Sequence, residues 1–317
     1  MEVLITGGAG CIGSDLAARL LREGHQVTVF DNLSSGKEEH IQNLLNNDRL
    51  KFNKGDLLDK KQIENACKNI DVVFHLAANS DIKYRPEDPT DEDLKLNTIA
   101  TYNVLEAMRL NSVKKIVFTS SSAVYGEAEI IPTPEDCGLR PISLYAASKA
   151  ACEAMISGFC YMFEMEGWIF RLANIISGKS RKKGKTVLSD FIEKLSTNRK
   201  ELEILGDGKQ RKSYLTVNDC IDGIMLAMKE PYKQVNVLNL GPEDSITVDE
   251  IAEIVASQMG LKDVKFKHTG GDRGWPGDVP RFLLDTTKIR KLGWKPRHTS
   301  REAIEIATKS LLDQVIQ

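Results

Sequence analysis

No stretch of this 317-residue chain approaches the roughly 20 apolar residues that a membrane-crossing helix needs, so no membrane-spanning helix is expected. An excess of either charge is also missing. The 43 Lys and Arg residues nearly balance 45 Asp and Glu, for a formal net charge of −2, whereas a nucleic-acid binder carries a pronounced basic excess. Neither a membrane nor a nucleic acid is therefore an expected partner. The six cysteines, at 11, 67, 137, 152, 160 and 220, form no CxxC pair and no regular framework. They read as reduced, mostly buried small hydrophobes. The five histidines show no HxxxH or HxH spacing and no neighbouring ligand cluster, so no metal site is expected. Internal repeats and low-complexity segments are absent. Residues 2–6 read as a buried strand, which leaves no room for the basic and apolar regions of a signal peptide, and a cytoplasmic location is expected.

A hydrophobic content of 41% with 28% charged residues is ordinary for a globular protein and excludes disorder. The length exceeds what one hydrophobic core usually serves. Through the first half, short β-branched runs at 3–6, 26–30, 50–53, 72–75, 115–119 and 168–171 alternate with amphipathic stretches near 12–23, 60–69, 91–110 and 144–164. That rhythm predicts an α/β fold with a doubly wound parallel sheet. Strands buried on both faces lack polar alternation, as 71–75 and 115–119 do. Beyond Arg171 the pattern loosens into a basic loop at 178–185, then into isolated elements with Gly and Pro turns, and closes with a helix at 301–315. The predicted division is a nucleotide-binding domain over 1–176, with a strand returning near 235–241, and a smaller substrate lobe over 177–317. Four glycines and a proline keep 270–278 irregular, as loops that line sites often are.

Thr6-Gly-Gly-Ala-Gly-Cys-Ile-Gly13 follows the first strand and opens a helix. In that context Gly7, Gly10 and Gly13 can turn the chain, admit a pyrophosphate and let helix pack on strand, with the phosphate at the helix N-terminus. Asp31 ends the second strand, where a carboxylate bonds the adenosine ribose and repels a 2′-phosphate. NAD, rather than NADP, is the expected cofactor.

Tyr145 and Lys149 lie four apart, on one face if their segment is helical. A tyrosine whose pKa is about 10 is a poor base at neutral pH, but an adjacent ammonium and a cationic nicotinamide both favour its phenolate. Tyr145 could then take a proton from a substrate hydroxyl.

These motifs together resemble the extended short-chain dehydrogenase/reductase family and, within it, the nucleotide-sugar epimerases of the UDP-glucose 4-epimerase type. The likeness runs from Leu4 to about Pro296. The segment 6–14 is similar to the family's nucleotide signature, with Cys11 and Ile12 inside it. Asp31-Asn-Leu-Ser-Ser-Gly36 resembles the ribose-binding turn and brings in Asn32, Ser34, Ser35 and Gly36. Gly55-Asp-Leu57 looks like the adenine-side contact through Asp56 and Leu57, and His75-Leu-Ala-Ala78 like the strand end beneath the cofactor, through Leu76, Ala77 and Ala78. Ser121 falls where the family keeps its catalytic Ser or Thr, and 141–149 matches the Tyr-x-x-x-Lys element. The resemblance implies transient oxidation at C4 of a nucleotide sugar, exposure of the other face of the 4-keto intermediate, and reduction of that face, so that NAD is regenerated each turnover. Ser121 would hydrogen-bond the reacting oxygen, Tyr145 would act as base and then acid, and Lys149 would hold ribose hydroxyls while tuning Tyr145. It also implies a UDP-hexose, or its N-acetyl or uronate analogue, as substrate and a homodimer built through the helices near 91–110 and 144–164.

On the substrate side the resemblance points to Ser121, Asn174, Arg211, Lys212, Tyr214, Arg273 and Asp278. Two departures stand out. Relatives often carry Arg-Asp before the aromatic residue at Tyr214, where this chain has Lys212-Ser213, and an arginine where this chain has Trp275. Lysine neutralises a phosphate without gripping it bidentately. Sugar-nucleotide dehydratases on this scaffold place an Asp-Glu pair where Ser122 and Ala123 stand here, and decarboxylases act at C5 or C6. A non-catalytic NAD-binding sensor, the reading of another class, has no use for Ser121, Tyr145 and Lys149 together.

Overall fold

The computed structural model describes residues 1–79, 81, 83, 88–179, 186–229 and 233–315. Its centre is a seven-stranded parallel sheet made of β1 (Glu2–Thr6), β2 (Gln26–Asp31), β3 (Leu50–Lys54), β4 (Val72–His75), β5 (Lys115–Ser121), β6 (Glu166–Leu172) and, returning late in the chain, β11 (Val235–Leu240). In space the order is β3-β2-β1-β4-β5-β6-β11. The helices between them are α1 (Cys11–Arg22), α2 (Lys60–Ala66), α3 (Ala100–Leu110) and α4 (Leu144–Phe163). Side chains alternate across each strand and so supply two cores. Val3, Ile5, Phe74, Val117 and Phe170 join Leu16 and Leu20 of α1 on one face. Leu4, Val73, Ile116, Phe118 and Ile169 join Val104 and Met108 of α3 and Cys152 and Ile156 of α4 on the other. Burial on both faces is the reason these strands read as unbroken apolar runs.

The second half adds β7 (Asn174–Ile176), α5 (Val187–Thr197), β8 (Glu201–Ile204), β9 (Arg211–Lys212), β10 (Tyr214–Thr216), α6 (Val217–Ala227), β12 (Ile246–Thr247), α7 (Val248–Gln258), β13 (Lys265–His268), α8 (Thr287–Arg290) and α9 (Ser300–Val315). A third core unites Leu188, Phe191, Leu202, Ile251, Val255, Ala303 and Ile304. The expected boundary near residue 176 separates the cores only in part. Cys220, Ile221 and Ile224 of α6, Ile289 of α8 and the nearby Trp294 pack into the first core with α1, because β11 returns the chain to the sheet beside β6.

Three local differences from the sequence expectations matter. The helix expected over 91–110 contains a wider, π-helical turn at Leu94–Ile99 before α3, a geometry often found near functional sites. There Asn97 turns inward rather than to solvent. Strand β5 runs two residues beyond its expected end and carries Ser121 out at its tip. Of the basic run 179–185, only Lys179 lies within the described residues, and its Nζ bonds Ser14 Oγ at 2.7 Å and Asp15 Oδ1 at 2.6 Å of α1. All six cysteines are free, five of them buried and Cys137 half-buried. Among the described residues no helix is long and apolar enough to cross a membrane.

Candidate active site

The strand order reverses between β1 and β4, so the connections leaving these two strands run in opposite directions and open a crevice beyond the strand ends. Gly7 follows β1 with φ +70°, and a Cβ there would stand 2.7 Å from the Ala77 backbone nitrogen just past β4, so glycine alone lets the two strand ends approach. A Cβ on Gly13 would lie 2.4 Å from the Gly7 carbonyl oxygen. Gly10 precedes α1 and provides no side-chain cap, which leaves the first amides of that helix for an anion. Asp31, nearly buried at the tip of β2, accepts from the Ala9 amide at 3.0 Å and from the Leu33 amide at 2.8 Å, so its carboxylate is held in one orientation.

The crevice opens into a continuous cavity of about 500 Å³, within the range of small-ligand sites. Gly7, Gly10, Cys11, Ile12, Gly13, Asp31, Asn32, Ser34, Ser35, Gly36, Asp56, Leu57, Leu76, Ala77 and Ala78 line one part of it. Ser121, Tyr145, Lys149, Asn174, Lys212, Tyr214 and Asp278 line the same cavity. Arg211 and Arg273 are not brought to it. Consecutive strand residues point to opposite faces, so in β9 Lys212 faces the cavity while Arg211 turns outward, donating to the Ser245 carbonyl at 3.0 Å. Arg273 pairs with Glu127 and donates to the Asp278 carbonyl at 3.1 Å. Lys212 in turn is held by the Asp278 carboxylate.

Tyr145 stands in the first turn of α4, which Ser143 caps by accepting from the Ala146 amide. One turn on, the buried Lys149 Nζ donates to the Thr119 carbonyl at 2.8 Å and lies 6.0 Å from the centre of the Tyr145 ring. Burial pulls the Lys149 ammonium down to about 8, against the opposing pull of Cys152, Glu153 and Asp93. Ser121 Oγ accepts from the Ala123 amide at 3.2 Å and so anchors the short 3-10 turn Ser122–Tyr125. Below lies His75, fully buried between Thr6 Oγ1 at 2.7 Å and Thr101 Oγ1 at 2.9 Å, and burial depresses it to about 3, which keeps its ring neutral.

Sequence reasoning passed over Asn79 and Asn97. Asn97 accepts from the Asn79 amide at 2.8 Å and donates to Ser148 Oγ at 2.8 Å, and Ser148 donates to the Tyr145 carbonyl at 2.7 Å, which ties the wall of the cavity to the first turn of α4. Asn97 precedes Ala100, Val104 and Met108 at helical spacing, and a polar residue on the apolar face of that run is the signal that could have found it. Gln210, nearly buried in the cavity wall, was also missed; its Nε2 donates to the Leu205 carbonyl at 3.2 Å.

Residues 3–241 match the NAD dependent epimerase/dehydratase family, and the chain belongs to it. NAD is its cofactor, and it has the nucleotide-sugar chemistry of that family. Among individual relatives, the UDP-glucose 4-epimerase of Mycolicibacterium smegmatis is 33% identical over 308 residues, covering 96% of each chain. A crystal structure of UDP-galactose 4-epimerase superposes with a TM-score of 0.87 at 37% identity, covering 99% of this chain and all of that one. The UDP-glucose 4-epimerase of Thermus thermophilus, solved with NAD, gives 0.86 at 30% identity over 98% of this chain and 99% of its own.

Proposed function

We propose that the protein inverts C4 of a UDP-hexose. The observation that carries this reading is that Ser121, Tyr145 and Lys149 share one cavity with the glycine turn at 7–13 and Asp31 on one side and with Asn174, Lys212, Tyr214 and Asp278 on the other. The named activities of the relatives support it. Gly7, Gly10 and Gly13 would admit the cofactor's pyrophosphate to the N-terminus of α1, and Asp31 would bond its adenosine ribose. When bound, NAD supplies reversible oxidation at the sugar carbon. Tyr145 removes the proton of the C4 hydroxyl and later returns one, with Ser121 Oγ hydrogen-bonded to the same oxygen. The Lys149 ammonium, fixed by the Thr119 carbonyl, favours the Tyr145 phenolate. Ser122 and Ala123 add no acid or base beside Ser121, which favours inversion over elimination of water. Lys212, oriented by Asp278, would neutralise the diphosphate as a point charge.

The test is to incubate the purified protein separately with UDP-glucose, UDP-N-acetylglucosamine and UDP-glucuronate and to follow C4 configuration by proton NMR. The expected result is conversion of UDP-glucose to an equilibrium mixture with UDP-galactose. A 4-keto-6-deoxy product or release of carbon dioxide would replace this reading with dehydration or decarboxylation, and failure to convert any of the three would overturn it.

We also infer a homodimer joined through α3 and α4. Tyr102, Leu110, Tyr161 and Met162 on those helices are exposed large hydrophobics, which a partner's helices would cover. Light scattering should return twice the 35.3 kDa of the chain, and a monomer mass would exclude this assembly.

A further inference from the structure

Behind the reacting groups lies a buried polar cluster that the chemistry above does not use. Glu153 follows Lys149 by one helical turn on α4, so Tyr145, Lys149 and Glu153 share a face. Its Oε1 accepts from Ser120 Oγ at 2.5 Å, and Ser120 is the residue before Ser121. Arg171 of β6 grips the same carboxylate through Nη2 at 2.7 Å and Nε at 3.1 Å. The other arm of that guanidinium donates to the Tyr125 hydroxyl at 2.9 Å and to the Glu135 carbonyl at 2.8 Å. Tyr125 closes the turn that Ser121 opens, and its hydroxyl donates to Asn239 of β11 at 2.8 Å. Glu153 is 5% exposed and Arg171 6%.

Stability does not explain such a pair. Taking two ions out of water costs about as much as their attraction returns, and an apolar pair of similar volume is often neutral or better. What apolar side chains cannot supply is direction. The carboxylate holds the residue before Ser121 and the guanidinium holds the far end of its turn, while both are tied to the helix that carries Tyr145 and Lys149. We infer that Glu153 and Arg171 are positioning residues, which set Ser121 against Tyr145 and Lys149 across the gap between β5 and α4. This inference rests on the reading that those three residues carry the reaction.

Three variants and wild type, each loaded with NAD and assayed on UDP-glucose, and a fourth variant followed by titration, test it. The double variant Glu153→Leu/Arg171→Met removes both charges together and leaves no unpaired ion. Ser120→Ala removes one hydrogen bond and spares the pair. Tyr145→Phe reports on the underlying chemistry. The expected result is a kcat lowered roughly 10- to 100-fold in the double variant with KM within about twofold, since misplacement by about 1 Å can cost that much. Ser120→Ala should lower kcat by a smaller factor, with melting temperature and NAD content unchanged. A readout apart from turnover is the titration of Lys149, followed by heteronuclear NMR in NAD-loaded protein. The groups facing its ammonium are Tyr145, Cys152 and Glu153 on α4, Asp93 ahead of the π-helical turn and His75 on β4. Glu153→Gln removes one of the anions, so Lys149 should lose its proton at lower pH than in wild type.

Wild-type kcat in the folded double variant and in Ser120→Ala, with Tyr145→Phe inactive, would overturn the positioning role alone. The same holds if kcat falls in both only in proportion to lost NAD and lost folded protein. Wild-type kcat in Tyr145→Phe would overturn the chemistry and this inference with it.

Discussion

Replacing Tyr145 by phenylalanine should lower kcat on UDP-glucose by roughly 10²- to 10⁴-fold, the range that a positioned general acid and base contributes. The side chain sits in the capped first turn of α4 and lines the cavity beside Ser121 and Lys149. Its backbone is held independently of the phenol, through Ser148 and Asn97. The fold should therefore tolerate the change. NAD content and melting temperature should stay near wild type while turnover collapses. A variant that keeps kcat and changes only KM would show that Tyr145 binds substrate without transferring a proton.

Gly13→Ala should abolish NAD retention although alanine is the better helix former by about 1 kcal/mol. Gly13 lies in the first turn of α1, and the added Cβ would meet the Gly7 carbonyl oxygen at 2.4 Å and Gly8 Cα at 2.6 Å. Both obstacles are backbone, so relief requires the turn and the helix to separate. Overpacking of this kind costs about 1–3 kcal/mol, and it opens the turn that must close on the pyrophosphate. The nucleotide released on denaturing the purified variant should fall to a small fraction of wild type, with a lower melting temperature. Full NAD content at an unchanged melting temperature would show that the close approach of helix and turn is not needed.

These effects differ in how far they could be read before the fold was known. The glycine turn, Asp31 at a strand end and the Tyr145–Lys149 spacing depend on a few consecutive residues whose local geometry is dictated by φ, by strand ends and by the helical repeat. The strands of the sheet were legible for a similar reason, since burial on both faces writes itself as short apolar runs. The paired strands of the second lobe, two to four residues long, left no periodicity to detect. The return of α6 and α8 to the first core was equally hidden, because it follows from where β11 docks.

The substrate side shows the limit most clearly. Arg211, Lys212 and Arg273 were equivalent as sequence, three cations near expected phosphates. One residue of strand register turned Lys212 inward and Arg211 outward, while Glu127 drew Arg273 aside. Glu153 and Arg171, separated by 18 residues, become a clamp only because α4 lies across β6. The sequence by itself determined the parallel α/β fold, the family and the NAD cofactor, and it supplied Ser121, Tyr145 and Lys149 as the candidates for the chemistry, the last two through their helical spacing and Ser121 through resemblance. Which cation faces the cavity, which carboxylate orients it and what stands behind Ser121 were decided by the tertiary structure, because those pairings join residues far apart in the chain whose directions are set by packing.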